Sequence, residues 1–191
     1  GRNFEYYSED PLISGKMAAG ITRGVQKHAG CGVTIKHFVA NNQEWNRTNN
    51  SSNMDERSLR EIYLRGFEIC IRESCPVSLM SPYNLVNGLH TSENAKLLGD
   101  YLRAEVGFAG IVMTDWLIQS SAPNPKAKYP NADIVKVAQA GNDLFMPGSK
   151  TDYEILLKAL KSGKTDRSAL EQNVTRLVSI VRQLDGEKNT Q

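Results

Sequence analysis

The chain's most reactive residue types stand where a short apolar segment ends. Residues 110–113 are small or apolar, and after Thr114 come Asp115 and Trp116. A continuous run of this length predicts a strand buried on both faces of a parallel sheet, with Asp115 at its C-terminal end. A carboxylate beside a large aromatic ring suits sugar chemistry, because the ring can stack on a sugar while the carboxylate attacks an oxocarbenium-like centre. The alternative is that Asp115 caps the following helix, and this stretch alone leaves both interpretations open.

Three other apolar segments also end in polar or special groups. These groups are Lys36-His37, Tyr83-Asn84 and Pro147-Gly148. Parallel strands would bring these ends to one rim together with Asp115. A single lysine is usually solvated, so Lys36 or His37 alone would be a weak signal. As a cationic pair they would keep a nearby carboxylate ionised, which favours a nucleophile over a general acid.

The apolar periodicity predicts helices that alternate with these strands. Helices are expected at about 12–28, 56–74, 92–106, 132–140, 151–161 and 166–184, and strands at about 33–38, 77–81, 110–115 and 143–146. Alternation of this kind predicts parallel strands with right-handed crossovers. The predicted fold is α/β, a partial (β/α)8 or TIM-like barrel of about four βα units with an exposed edge on each side. Residues 1–185 form this half-barrel, and residues 186–191 are a polar tail or linker.

Local signals refine the ends and faces of these elements. Asp10, Asp55, and Thr91 or Ser92 are expected to cap helices, and residues 151–154 read as a capping box. One face of the first helix carries Met17, Ile21 and Val25, and one stripe of the last carries Leu170, Val174, Leu177, Val181 and Leu184. Residues 39–53 and 117–131 are long polar loops, which are often functional.

Composition limits the classes of partner. The 191 residues have a net charge of +2 with scattered basic residues, which argues against nucleic acid. No apolar stretch reaches the length of about 18 residues that spans a membrane. His28, His37 and His90 lack metal-ligand spacing, so neither a metal nor a cofactor is expected. Cys31, Cys70 and Cys75 are expected to be buried free thiols, typical of a reducing, cytoplasmic compartment. The opening at Gly1, without an initiator Met or signal peptide, suggests a fragment.

Four ordered motifs carry a family resemblance. They are Gly1-Arg2-Asn3-Phe4-Glu5-Tyr6-Tyr7-Ser8-Glu9-Asp10-Pro11; Lys36-His37-Phe38 with Asn42-Gln43-Glu44 and Arg47; Met80-Ser81-Pro82-Tyr83-Asn84 with Asn87-Gly88; and Val112-Met113-Thr114-Asp115-Trp116. In this order the chain resembles family 3 glycoside hydrolases, and within them the β-glucosidase branch. The resemblance covers nearly the whole chain.

The resemblance implies a retaining β-glycosidase that hydrolyses terminal β-D-glycosyl residues on a (β/α)8-type domain. Asp115 matches the family's nucleophile. The substrate-binding residues that it implies are Arg2, Lys36 and His37, with Arg47 and Tyr83 as further members of the shell and Trp116 as the aromatic that packs near the sugar. A β-glucoside or related oligosaccharide is the expected substrate, with glucose the default and xylose a close rival.

Departures from the family pattern limit this expectation. The family's upstream sugar-binding aspartate and downstream acid/base glutamate have no counterpart here, and Glu5, Glu9 and Glu44 fall in motifs with other roles. The chain alone is therefore expected to be inactive. The alternative is a non-catalytic sugar-binding or interaction fragment that needs a partner chain, either a complementing barrel half or another copy of itself, to complete the barrel.

Overall fold

The computed structural model describes residues 2–118 and 128–186. The strands along the chain are β1 (Thr34–Lys36), β2 (Ser51–Ser52), β3 (Ser78–Ser81), β4 (Leu85–Val86), β5 (Leu89–His90), β6 (Ile111–Trp116) and β7 (Leu144–Met146). The α-helices are α1 (Pro11–Gln26), α2 (Glu56–Ser58), α3 (Arg65–Ser74), α4 (Ile134–Gln139), α5 (Lys150–Lys161) and α6 (Arg167–Asp185). The π-helical segment Leu59–Leu64 joins α2 to α3, a second π-helical segment spans Lys96–Glu105, and 3₁₀ turns lie at Arg47–Asn49 and Thr91–Glu93.

Four strands form the parallel sheet that the sequence predicted. Their spatial order is β1-β3-β6-β7, the order in which the four βα units follow each other in the chain. Leu79 in the second of these strands pairs with Ile35 on one side and Val112 on the other. Between β6 and β7 the register shifts between Met113 and Trp116, across the position of Asp115. Such irregularities re-aim side chains beside functional sites. The predicted partial barrel is confirmed, with strand ends converging on one rim.

A second, smaller sheet was not predicted. It pairs β2 with β4 in parallel and β4 with β5 antiparallel, through a turn at Asn87 and Gly88 that both have positive φ. Strands of two residues are too short to show an alternating pattern. This sheet fixes the loop that follows β1, and Asn84 donates to the carbonyl oxygens of Val39 and Ala40 at 3.2 Å each. The segment carrying His37 is thereby held against the end of β3.

Side-chain caps define the helix starts, and two differ from prediction. Asp10 and Asp55 accept backbone N–H groups at the starts of α1 and α2, as expected. The cap of α5 is Ser149, which accepts from the N–H of Asp152, so the capping box predicted at 151–154 is wrong. Thr91 and Ser92 lie instead in a buried 3₁₀ turn, and Asn94 accepts from the N–H of Leu97 at the following helix.

The core lies mainly between the sheet and the helices that cover its outer face, and α1 enters it through small residues. Ala19 is buried, and a Cβ added to Gly15 would lie 2.7 Å from the Cβ of Ile69 in α3. This close approach turns the face of Met17, Ile21 and Val25 towards solvent, although its apolar character suggested burial. Hydrophobic periodicity therefore predicted the helix and misassigned its buried face.

The last helix crosses the N-terminal ends of the strands. Ile180 packs on Val77 and Ile111, and the backbone of Leu184 approaches Gly30 before β1. This places α6 at the opposite end of the sheet from Asp115. Its predicted stripe is only partly buried, since the side chains of Val174 and Val181 are exposed.

The cysteines were expected to be buried free thiols, and no segment was expected to span a membrane. All three cysteines are free thiols, but only Cys70 is buried, whereas Cys31 and Cys75 are exposed. The expected burial of those two thiols is therefore wrong. Within residues 2–118 and 128–186, no helix combines the length and apolar character needed to cross a membrane.

Candidate active site

Asp115 lies at the C-terminal end of β6 and forms the floor of the site. The residue is 7% exposed, and its Oδ1 accepts the backbone N–H of Trp116 at 2.7 Å. It does not cap a helix that the structure describes: the next one, α4, begins at Ile134 and is capped by Asp133. Residues 119–127, in the predicted loop 117–131, lie outside the described part. The cap interpretation of Asp115 is therefore not supported by any helix that the structure describes.

His37 lies beside this carboxylate, and Arg2 lies beside His37. Nε2 of His37 lies 3.5 Å from Oδ2 of Asp115 and 3.5 Å from Nη2 of Arg2. His37 is 3% exposed and Arg2 is 5% exposed, although Arg2 belongs to a segment 35 residues earlier in the chain. Nδ1 and the backbone N of His37 both contact the hydroxyl of Tyr6, each at 3.2 Å. The end of β1 and the N-terminal segment therefore meet at Asp115.

Three further predicted residues, two half-buried and one exposed, form the rim of the site. The hydroxyl of Tyr83 donates to the carbonyl oxygen of Trp116 at 2.7 Å, and the guanidinium of Arg47 lies 4.7 Å from the centre of the Tyr83 ring. Burial, and then the negative charge and hydrogen bonding of Asp115, raise the pKa of Tyr83. The side chain of Trp116 is 55% exposed. An exposed ring beside a buried carboxylate can stack on a sugar whose reacting atom faces the acid.

Two carboxylates that were not predicted as site residues organise the cations. Glu5 forms ion pairs with Arg2 and with Lys36, the second at 2.8 Å. Glu44 pairs with Arg2 and, at 3.3 Å, with Arg47. Each glutamate therefore bridges two cationic side chains from different segments. The three cations are held in place by these bridges and not by a direct ion pair with Asp115.

The pKa values within this cluster follow from burial and from the paired charges. Burial, together with the positive charges of Arg2 and Lys36, lowers the pKa of His37 to about 4, against the smaller opposing effect of Asp115. Burial would raise the pKa of Glu5, but the hydrogen bond from Lys36 and the charges of Arg2 and Lys36 lower it overall. His37 is therefore neutral at pH 7. The expectation that Lys36 and His37 act as a cationic pair is wrong for His37.

Residues 1–180 match the model of the glycosyl hydrolase family 3 N-terminal domain. The chain belongs to glycosyl hydrolase family 3. Its parallel sheet matches the barrel-like N-terminal domain of that family, and the resemblance first seen in four motifs is confirmed over most of the sequence.

Relatives within family 3 carry the names of several glycosidases. The chain is 40% identical to β-glucosidase B of Emericella nidulans over 191 residues, which are 99% of this chain and 21% of that protein. It is 40% identical over 181 residues to an exo-α-(1→6)-L-arabinopyranosidase of Bifidobacterium breve, covering 95% of this chain and 22% of the other. The structure of β-glucosidase 3B from Thermotoga neapolitana in complex with glucose matches with a TM-score of 0.85 and 45% identity, over 96% of this chain and 25% of that one. The chain thus spans about a quarter or less of the length of these relatives.

The family 3 fold brings the predicted site residues into one network. The imidazole of His37 contacts Arg2 and Asp115 through the same nitrogen, Nε2. The side chain of Tyr83 contacts both Trp116 and Arg47. Lys36 connects to the same network through Glu5. The catalytic and binding roles of these residues stay predictions.

Sequence reasoning missed three members of this network. They are Tyr6, Glu5 and Glu44. A signal existed for the glutamates, because each lies three residues from an arginine with which it pairs. Tyr6 lies in the first of the four motifs, but no local spacing links it to its partner His37, which is 31 residues away. Among the described residues, no group of three or more His, Cys, Asp or Glu side chains has the arrangement of a metal site.

Proposed function

We propose that this chain is the nucleophile-bearing half of the barrel domain of a retaining β-glycosidase, of the β-glucosidase type, acting on terminal β-D-glycosyl residues. The observation that carries this proposal is the buried carboxylate of Asp115 at a parallel strand end, beside His37, which in turn contacts Arg2, and followed in the chain by the exposed Trp116. Membership of family 3 and the similarity to named β-glucosidases support it.

In the proposed reaction Asp115 attacks the anomeric carbon of a β-glycoside. The carbon–oxygen bond to the leaving group breaks, its electron pair goes to the leaving oxygen, and a separate carboxylic acid supplies the proton. Water, activated by that same second group, then releases the sugar with its β-configuration retained. The attack joins the anomeric carbon to Asp115 by an α-linked ester bond. Each of the two steps inverts the anomeric configuration, so the product retains the β-configuration of the substrate.

The surrounding side chains suit the task of holding the sugar. Lys36, Arg2 and the neutral imidazole of His37 offer hydrogen-bond donors to hydroxyl groups, which must regain the bonds that they made in water. Trp116 offers an exposed aromatic face. Arg47 and Tyr83 would complete this shell from the rim. No cofactor is needed for glycosyl transfer to a carboxylate and then to water.

The general acid is proposed to come from outside the residues of this cluster. A general acid must be protonated near neutral pH, which requires a raised pKa. Glu5 has a lowered pKa, and Glu44 forms ion pairs with two arginines. The 191-residue chain by itself is therefore expected to show little or no turnover of an aryl β-glucoside. Hydrolysis at the rate of a complete β-glucosidase would contradict this expectation.

Activity is best tested in a hybrid protein. Residues 1–180 of this chain would replace the matching segment of β-glucosidase 3B from Thermotoga neapolitana. The hybrid is expected to hydrolyse p-nitrophenyl β-glucoside, and Asp115→Gly should lower kcat on the order of 10⁴-fold or more, the scale for loss of a covalent nucleophile. The matched control is Asp100→Ala, which changes an exposed aspartate on the helix Lys96–Glu105 and should leave kcat unchanged.

Azide rescue tests whether Asp115 is the nucleophile or the acid/base residue of a retaining enzyme, because loss of the acid/base residue would instead give the β-glycosyl azide. In the Asp115→Gly hybrid, azide can occupy the emptied space, attack the α face and form an α-glycosyl azide from a β-glycoside with a good leaving group. Rescue with this stereochemistry supports a nucleophilic Asp115. A folded hybrid whose Asp115→Gly variant keeps its activity would refute the assignment.

The choice of sugar is a separate question within the same proposal. The Bifidobacterium breve relative, named an arabinopyranosidase, is as similar as the β-glucosidases. Activity of the hybrid on aryl β-glucoside, β-xyloside and α-L-arabinopyranoside should therefore be compared. The β-glucoside is expected to have the highest kcat/KM.

A sugar-binding fragment completed by a partner chain is the second candidate. It is favoured by the sheet order β1-β3-β6-β7, in which β1 and β7 each have one neighbour within the described sheet. Mixing this chain with a separately made complementary barrel half tests it. Sugar binding without any activity in the mixture or in the hybrid would favour this candidate over the glycosidase.

A further inference from the structure

The hydroxyl group of Tyr6 makes two contacts with the same histidine. It lies 3.2 Å from Nδ1 of His37 and 3.2 Å from the backbone N of His37. A backbone N–H can only donate, so the hydroxyl oxygen accepts that hydrogen bond. The hydroxyl's own proton is then available for Nδ1.

We propose that Tyr6 is a positioning residue that holds the neutral ring of His37 in the tautomer with its proton on Nε2, so that this N–H faces Oδ2 of Asp115. With Nδ1 accepting from Tyr6, the single ring proton must reside on Nε2. The opposite tautomer would direct the lone pair of Nε2 at a carboxylate oxygen 3.5 Å away. Two acceptors would then face each other at a buried position, where an unsatisfied polar contact is costly.

Arg2 is the competing influence on this ring. Its Nη2 also lies 3.5 Å from Nε2, and a donor there would favour the opposite tautomer. The same Nη2, however, forms an ion pair with Glu5, which engages its donor capacity. The remaining charged groups around the ring are Lys36 and Asp115, and the ring stays neutral at pH 7 because burial and the neighbouring cations lower its pKa to about 4. The Tyr6 hydroxyl and the Asp115 carboxylate therefore both favour the tautomer with the proton on Nε2.

The consequence for chemistry rests on the proposed glycosidase function. With the proton on Nε2, His37 presents a neutral donor to the carboxylate of Asp115 or to a sugar hydroxyl bound over it. The opposite tautomer would present only an acceptor there. In this way a residue in the N-terminal segment sets the hydrogen-bonding character of the β1 strand end. The tautomer itself can be measured without substrate, so its test is independent of the test of glycosidase activity.

Nitrogen-15 NMR of the 191-residue chain tests the proposal. Long-range ¹H–¹⁵N correlations at pH 7 distinguish protonated from unprotonated ring nitrogens, and the chain has three histidines to assign. His90 is an internal reference for the Nε2–H tautomer, since its Nε2 lies 2.7 Å from the carbonyl oxygen of Pro130. His37 is expected to show the same pattern as His90. A proton on Nδ1 of His37 in the unmodified protein would overturn the proposal without any variant.

Two tyrosine variants then isolate the role of the hydroxyl. Tyr6→Phe is expected to shift the tautomer ratio of His37 about fivefold towards the Nδ1–H form, the equivalent of one hydrogen bond. Tyr7→Phe, which removes the hydroxyl of the adjacent, exposed tyrosine, should leave the ratio unchanged. An equal ratio in Tyr6→Phe and the unmodified chain, with the other two histidine spectra preserved, would overturn the role assigned to Tyr6.

Discussion

The neutral state of His37 predicts a specific loss of stability in mild acid. Burial and the positive charges of Arg2 and Lys36 lower the pKa of His37 from 6.5 to about 4 in the folded chain. Below pH 6.5 the unfolded chain therefore binds a proton that the folded chain does not bind. Stability that depends on the neutral ring is fully present above pH 6.5, falls as the pH decreases, and is exhausted near pH 4.

The size of this loss follows from the two pKa values. Each pH unit in the window changes the free energy of unfolding by about 1.4 kcal/mol. Between pH 7 and pH 5 the contribution of His37 therefore falls by about 2 kcal/mol, because only the part of that interval below 6.5 counts. Over the whole window the loss reaches about 3 kcal/mol.

Urea unfolding of three proteins at pH 7 and pH 5 measures the effect. The unmodified chain should lose about 2 kcal/mol more stability between these pH values than His37→Gln, which has no ring to protonate. His28→Gln changes an exposed histidine outside the site and serves as the matched control, which should retain the loss seen in the unmodified chain. Equal losses in the unmodified chain and in His37→Gln would refute the reasoning, because His37 would then be protonated as easily in the folded as in the unfolded chain.

Two further predictions concern parts of the chain away from the site. The side chain of Asp143 is fully buried and accepts from Arg103 at 2.7 Å and Arg176 at 2.8 Å, so Asp143→Ala should lower the free energy of unfolding by about 3–5 kcal/mol. In the same urea assay Glu171→Ala, which removes an exposed ion pair, should cost less than about 1 kcal/mol, and equal effects of the two variants would contradict the account. Two of the three thiols are exposed, so a thiol reagent should modify two cysteines in the native chain and Cys70 only after unfolding. Rapid reaction of three thiols without denaturant would contradict the burial of Cys70.

The parts of the fold that could be predicted are those whose signal is local. The run 110–114 identifies a buried strand by composition alone, and Asp115 at its end needs no knowledge of distant residues. Parallel alternation then brings the ends of the strands to one rim, which is why the position of His37 near Asp115 could be inferred. The caps at Asp10 and Asp55 were likewise predictable, because a cap acts within three residues.

The features that were missed depend on how distant segments pack. The exposure of Met17 arises because Gly15 lets α1 approach α3 through its small residues, a choice that periodicity cannot reveal. The neutrality of His37 depends on burial and on Arg2, which lies 35 residues earlier. The contact between Tyr6 and His37 is of the same kind. Sequence patterns thus located the reactive strand end, whereas its electrostatics required the three-dimensional arrangement.

The central claim is that Asp115 becomes covalently attached to the sugar. It is tested most directly by treating the active hybrid protein with an activated 2-deoxy-2-fluoro-β-glucoside and identifying the labelled residue by peptide mass spectrometry. The fluorine slows release of the sugar, so the glycosyl-enzyme accumulates. We expect one label per chain, on Asp115. A label on another carboxylate would contradict it.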